Sequence, residues 1–298
     1  MDFGWLNEKF IYEIGSIIIR PLEDIDEAIA EVKGYEETND RWVFAPCILS
    51  NIGKRHRQAS EVLRLPRTHN ISAKNNNGDD FLTYLIIMFG FSKGLRLIPE
   101  GWQHFYRAPV KIGQLTGAIG TKKEIGCFLS CCEEFWLRNS GNSFQNEFQG
   151  IVHLFLTAQA YTHQFEKFIF QYMVLDSCYT LTKNHPKGKI AKAGCHAERI
   201  VLLAKRYNLK LPDWAEMHGK SSEISNLRNS IFHQGIWGGK SIGFDPIPRQ
   251  RHIILELISF NARLISAMVG YIGEFSQSDS QTRQMVGFGG SFQPGIAL

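Results

Sequence analysis

The run Leu227-Arg228-Asn229-Ser230-Ile231-Phe232-His233-Gln234-Gly235 gathers an arginine, a carboxamide and a histidine within one and a half helical turns. A guanidinium is a permanent cation, a carboxamide both donates and accepts, and an imidazole is the side chain best suited to moving protons near neutral pH. That set suits phosphoester cleavage, and RNA cleavage in particular. The ribose 2′-hydroxyl is an internal nucleophile, so the protein need only move protons and steady charge. His233 would act as general acid or base at the 2′-hydroxyl or the leaving oxygen. Arg228 would stabilise the phosphorane oxyanions and Asn229 would orient the phosphate or a partner motif. The scheme requires neither a metal nor a cofactor.

Spacing alone does not join the three. Five residues on an ideal helix turn a side chain by about 140°, so Arg228 and His233 leave different faces. They meet if the helix bends, if the arginine reaches round it, or if a second chain supplies half the site. Asn229 and His233, four apart, share a face. Gly235, with Gly238 and Gly239 beyond it, suits a left-handed stop just after His233, in the last turn where the helix's negative end favours a cation. The plainer alternative is a solvated arginine and a histidine covering the last carbonyls.

The elements that must position this stretch fall into two textures. Up to about Gly120 the chain reads as mixed α and β. Phe10–Ile19 has strand composition ended by Pro21, and 25–32 reads as a short acidic helix. Residues 41–49 read as a strand, made an edge by Pro46. Asn70–Asp80, with Asn75, Asn76, Asn77 and Gly78, reads as loop, and Phe81–Phe91 is a buried segment of undecided form. Recurring glycine, proline and aromatic residues then argue for irregular structure and short strands. From Thr121 the segments turn helical. Helices are expected over 122–137, over one long span from Ser143 to about Leu181, and over 196–207, 221–232 and 251–275. Polar, glycine-rich residues 276–298 read as a tail. The expected class is α+β: a mixed domain over 1–120, an all-helical domain over 121–275, and the tail.

Arg-Asn, three residues and a histidine, late in a helical bundle and followed by glycine, resembles the signature of the HEPN superfamily. In that motif four to six residues separate arginine from histidine, and a polar residue often follows the arginine. Gln145–Leu181, with its run Leu156-Thr157-Ala158-Gln159-Ala160, is similar to the first long helix of the ApeA-like branch. The resemblance spans roughly 121–275. It implies a HEPN-like helical bundle that forms homodimers, bringing two copies of the motif towards one cleft. It also implies a metal-independent endoribonuclease, often an antiviral defence or toxin effector, with RNA as partner. Related domains often carry an acidic residue after the Gln-Ala step. Here Tyr161 and Thr162 stand there, leaving His163 and Glu166 as the candidate orienting groups. The alternative from a different class is a non-catalytic RNA-binding or protein-interaction module of the same helical fold.

Other clusters point less firmly. Lys54, Arg55 and Arg57, with His56 between them and Arg64 and Arg67 nearby, form the densest basic stretch. It is either a solvated face or a contact to RNA backbone. Trp102, His104, Phe105 and Tyr106 could stack on bases but read better as core. Of six cysteines, Cys127, Cys131 and Cys132 lie close together and Cys195 precedes His196, yet no Cys-x-x-Cys pair occurs, so buried thiols are the expectation and no metal site. Walker, dinucleotide-fingerprint and His-Glu-x-x-His motifs are absent. The 298 residues are 44% hydrophobic and 21% charged with a net charge of +4, an ordinary globular composition that permits an anionic partner without arguing for one. Lacking a secretory start or an apolar run long enough for a bilayer, the chain reads as cytoplasmic, with reduced thiols and no membrane partner.

Overall fold

A computed structural model describes residues 1–33, 66–74, 78–100, 122–159, 161, 163–242 and 251–273, together with the short strands 36–37, 42–44, 48–49, 55–56, 62–63, 106–107, 110–111 and 290–292. The chain divides into two compact units between Leu115 and Thr116. The first mixes strands and helices and the second is more helical.

In the first unit the elements are β1 (Asp2–Gly4), β2 (Tyr12–Ile14), β3 (Ile17–Pro21), α1 (Ile25–Lys33), β4 (Glu36–Glu37), β5 (Trp42–Phe44), β6 (Ile48–Leu49), β7 (Arg55–His56), β8 (Val62–Leu63), β9 (His69–Ala73), α2 (Gly78–Lys93), β10 (Ile98–Pro99), β11 (Tyr106–Arg107) and β12 (Val110–Lys111). Five strands form an antiparallel sheet in the order β10-β1-β9-β3-β2. The segment over 10–19 is not one strand. Gly15, at φ 57°, turns it into a hairpin that pairs Ile14 with Ile17 and Tyr12 with Ile19. The first four residues of the expected loop over 70–80 instead belong to β9, which pairs with β1 on one side and β3 on the other. Its sequence His-Asn-Ile-Ser-Ala has weak strand character, and pairing on both edges overrides it.

The undecided segment over 81–91 is helical. Helix α2 is apolar all round, and from Phe81 to Ser92 only Leu82 is not buried. Phe89 meets Phe3 edge-on at 6.3 Å and Tyr12 at 5.2 Å, tying α2 to the sheet. Lys93 donates to Glu8 at 2.6 Å and to the Tyr12 hydroxyl at 2.7 Å, which satisfies a half-buried ammonium. His69 is fully buried beside Phe3, with its Nδ1 3.0 Å from the Thr68 hydroxyl.

Burial pushes the His69 imidazole down to about 4, against an opposing pull from Glu8. The unfolded chain protonates this ring near 6.5 while the folded protein resists until about 4. The neutral ring's contribution is therefore complete above pH 6.5 and is lost as pH falls towards 4. We expect the first unit to lose about 3 kcal/mol of stability across that window. His69→Gln should flatten the loss in urea unfolding at pH 7 and pH 4.5. An unchanged pH slope in the variant would refute the assignment.

The second unit contains α3 (Lys122–Arg138), α4 (Phe144–Ala158), α5 (Gln164–Asn184), α6 (His196–Arg206), a 3-10 turn (Asp213–Ala215), α7 (Glu223–Gln234), β13 (Ile236–Trp237), β14 (Lys240–Ser241), α8 (Arg251–Met268), β15 (Tyr271–Gly273) and β16 (Gly290–Phe292). The single long helix expected over 143–181 is two, α4 and α5, packed on each other. The break leaves no mark in the apolar period, because both helices serve the same core. What starts the second helix is local: His163 is extended (φ −76°, ψ 140°), and its backbone N–H donates to the Glu166 carboxylate at 3.3 Å.

Helix α5 is the centre of this unit and packs on α4, α6 and α8. Phe135 meets Phe148 at 4.7 Å between α3 and α4. Asn261 of α8 donates to both the backbone carbonyl and the side-chain oxygen of Gln171 on α5, each at 2.8 Å and fully buried. Helix α8 is shorter than the expected 251–275. It stops at Met268, Gly270 turns at φ 90°, and Tyr271–Gly273 pairs with Gly290–Phe292. Three residues of the expected tail thus form a strand. Among the described residues no helix is long and apolar enough to cross a membrane.

Candidate active site

Helix α7 carries Arg228, Asn229 and His233. It opens on Ser222, whose hydroxyl accepts from the Ser225 N–H at 3.4 Å, while the Ser225 hydroxyl accepts from the Ser222 N–H at 2.8 Å. Ile224, Leu227 and Ile231 face the core at three- and four-residue spacing, so the other side of α7 is turned outwards. The helix ends at Gly235 in the left-handed conformation, φ 64° and ψ 29°, with its N–H donating to the Ile231 carbonyl at 3.1 Å. No neighbour lies within 4 Å of a methyl group built there, so an alanine would pay only the left-handed backbone penalty. We expect Gly235→Ala to cost about 1–2 kcal/mol in chemical denaturation, and Gly235→Asn less, because asparagine tolerates this conformation. Equal losses for the two would refute the backbone argument.

The geometry joins what helical spacing keeps apart. Arg228 reaches round α7, and its Nη1 lies 3.0 Å from the Asn229 Oδ1 and 3.2 Å from the His233 Nε2. No bend of α7 is needed. The guanidinium also stacks on Phe232, with 4.9 Å between Cζ and the ring centroid. A guanidinium can only donate, so the His233 contact uses the Nε2 lone pair. Asn229, Phe232 and His233 are exposed and Arg228 is half-buried.

Behind Arg228 stands a second group of polar residues, of which the sequence had marked only His196, for its place beside Cys195. Helix α6 packs on both α5 and α7. Asp176 of α5 accepts from the Arg199 guanidinium at 2.9 Å and lies 3.6 Å from the His196 Nδ1. Tyr172, one turn before Asp176, is 2% exposed and 6.3 Å from His196 between ring centroids. Burial raises the Tyr172 phenol. Asp176 adds to that rise, and the Arg228 and Arg199 cations oppose it. Burial also lowers the His196 imidazole, together with Arg199 and Arg228, against the pull of Asp176. Three buried polar atoms here, the Tyr172 hydroxyl, the Arg228 Nε and the His196 Nδ1, hydrogen-bond to no other atom of the described residues. Beyond the Cys195-His196 step, the sequence signals were Tyr172 and Asp176 four residues apart and His196 and Arg199 three apart, spacings that put each pair on one helix face.

The remaining candidates lie elsewhere or outside the description. His163 and Glu166 form the start of α5, His163 stacks on Phe165 at 5.7 Å, and their hydrogen bonds stay within that cap. Lys54 and Arg57 are outside the described residues, as are Arg64 and Trp102 to Phe105, while Arg55 and Tyr106 are described as strand backbone alone. Arg67 is engaged, donating to Asp2 at 3.2 Å and to Glu100 at 3.1 Å. Cys131, Cys132 and Cys178 are buried, and burial pushes the Cys131 thiol up to about 12. Among the described residues no group of three or more His, Cys, Asp or Glu side chains could hold a metal ion. No protein-family model matches this chain, and neither a curated protein nor a solved structure does.

Proposed function

We propose that the protein is a metal-independent endoribonuclease of the defence or toxin-effector kind, with its active site at Arg228, Asn229 and His233 and a HEPN-like helical unit around them. The observation that carries this reading is the 3.2 Å approach of the Arg228 Nη1 to the His233 Nε2 at the outward-facing end of α7. An incoming phosphodiester offers the guanidinium a charged acceptor in place of a neutral ring nitrogen, and such charge-assisted bonds are the stronger. The Nη1 then turns to the phosphate and the Nε2 lone pair is released beside it. Arg228 steadies the oxygens of the phosphorane, Asn229 orients them, and His233 moves a proton. The products are a 2′,3′-cyclic phosphate and a free 5′-hydroxyl. Dimerisation through the helical unit, which the HEPN resemblance implies, would set two such sites side by side.

Incubating the purified protein with mixed RNAs in chelator tests this directly. Chelator-resistant cleavage that leaves cyclic phosphate ends is expected, along with growth arrest when the protein is overproduced in cells. RNA binding without cleavage under both conditions would replace the enzyme with the binding-module reading.

A further inference from the structure

Cleavage by 2′-hydroxyl attack moves two protons: one leaves O2′ as it attacks phosphorus and one reaches O5′ as the P–O5′ bond breaks. The outward end of α7 offers one imidazole for these two tasks. A second stands behind Arg228, on the helix packed against α7. Resting on the ribonuclease reading above, we propose that His196, oriented by Asp176, is the general base that takes the 2′-hydroxyl proton, so that one chain carries both proton-transfer groups of the site.

Four observations lead there. The His196 Nδ1 is buried and faces the Asp176 carboxylate at 3.6 Å, while the side chain as a whole keeps 34% of its exposure, which therefore falls on its other atoms. A histidine whose inner nitrogen faces a carboxylate and whose outer edge meets solvent is arranged for proton transfer at the outer nitrogen. Unliganded sites often hold such contacts long and tighten them as charge develops on the ring. Arg199 holds Asp176 from the same face of α6 at 2.9 Å, which fixes the carboxylate. The Tyr172 hydroxyl and the Arg228 Nε are buried polar atoms of the same neighbourhood that hydrogen-bond to no atom of the described residues, which leaves them open to a polar ligand.

The charges agree with the role. The groups around the ring are Asp176 and Tyr172 from α5, Arg199 and Cys195 on its own segment, and Arg228 from α7. Burial and the two guanidinium groups hold the imidazole below its ordinary value, hence neutral and ready to accept a proton at pH 7. The proton passes from the 2′-hydroxyl to His196, O2′ attacks phosphorus and the P–O5′ bond breaks, while the His233 Nε2, freed from Arg228 and having taken a proton from solvent, gives that proton to O5′; His196 returns its own to solvent. No oxidant, metal or co-reactant enters the balance.

The test compares two substrates in chelator: a diribonucleotide and a ribonucleoside 3′-(4-nitrophenyl phosphate). Nitrophenolate leaves without a proton, so the second substrate needs the base and hardly needs the acid. His196→Gln should slow both substrates by about 10²–10⁴-fold. His233→Gln should slow the dinucleotide comparably and lose most of that defect on the nitrophenyl ester. Asp176→Asn, which removes the group that raises His196, should move the acid limb of the pH–rate profile to lower pH. A purely structural carboxylate would leave that limb in place. Mixing the His196 and His233 variants should restore nothing, and restoration would mean that the site is built from two chains. A His196→Gln enzyme that cleaves the nitrophenyl ester within about twofold of wild type would overturn the proposal while leaving the ribonuclease reading intact. If His196→Gln fails to fold, the Asp176→Asn profile decides. A wild-type protein inactive on both substrates and on RNA would overturn the parent reading and this one with it.

Discussion

Arg228→Ala should lower chelator-resistant RNA cleavage by about 10²–10³-fold, the loss that follows removal of a single oxyanion-stabilising donor. His233→Ala should cost about 10²–10⁴-fold through the missing proton transfer. The more telling result is the double variant. Groups that act as one unit are strongly non-additive, so removing both should cost little more than removing the worse one. Arg228→Lys should not rescue, because an ammonium lacks the planar fork that lets one guanidinium meet Asn229 and His233 while stacking on Phe232. The proteins themselves should stay folded. Contacts at this exposed end of α7 are each worth about 1 kcal/mol or less, so melting temperatures should move little. Full activity in both single variants would reduce the cluster to a helix cap.

Phe168→Ala should be the most destabilising single change near the site, at about 3–5 kcal/mol. Phe168 is fully buried on α5, with its ring 5.5 Å from Trp237 and 5.8 Å from Tyr172. Trp237 belongs to β13, two residues past Gly235, and is 2% exposed. Removing the phenyl ring leaves a cavity under that strand and beside Tyr172 at once. For a unit of this size the loss corresponds to a fall in melting temperature of roughly 10 °C. Cleavage should fall as well, since the anchored strand follows directly on the turn that ends α7. Phe168→Leu should recover most of the stability. A fall of less than 2 °C or so for the alanine variant would show that the site collapses without strain, or that Trp237 is not held by this contact.

Much of the architecture was legible because it rests on local rules. The helices over 122–138, 196–206 and 223–234 follow from apolar spacing and from capping residues such as Ser222 and Gly235, whose effects act within one or two turns. Misreadings arose where a local pattern continued across a tertiary break. The core-facing period of α4 runs on into α5 because both helices feed one core, so only the extended backbone at His163 records the turn. Strand β9 was hidden for the opposite reason, since its strand state comes from partners on both edges. At Gly270 a single left-handed residue ends α8 and begins a strand, yet one glycine in an apolar run is a weak signal by itself.

The site divides along the same line. Residue type and spacing alone fixed that Arg228, Asn229 and His233 carry charge, hydrogen-bonding capacity and a proton-transfer group, and that a glycine stops the helix just after them. Those are properties of single residues and of one short stretch. Three ways of bringing Arg228 to His233 stayed open, because a side chain's reach depends on what surrounds it. Only the tertiary structure chose the arginine's path round α7, by seating its guanidinium over Phe232 and beside Asn229. Only the tertiary structure, again, set Tyr172 and Asp176 of α5 against His196 and Arg199 of α6 behind the same arginine. Those pairs are some twenty residues apart in the chain and more than twenty from α7, so nothing but the packing of three helices brings them together.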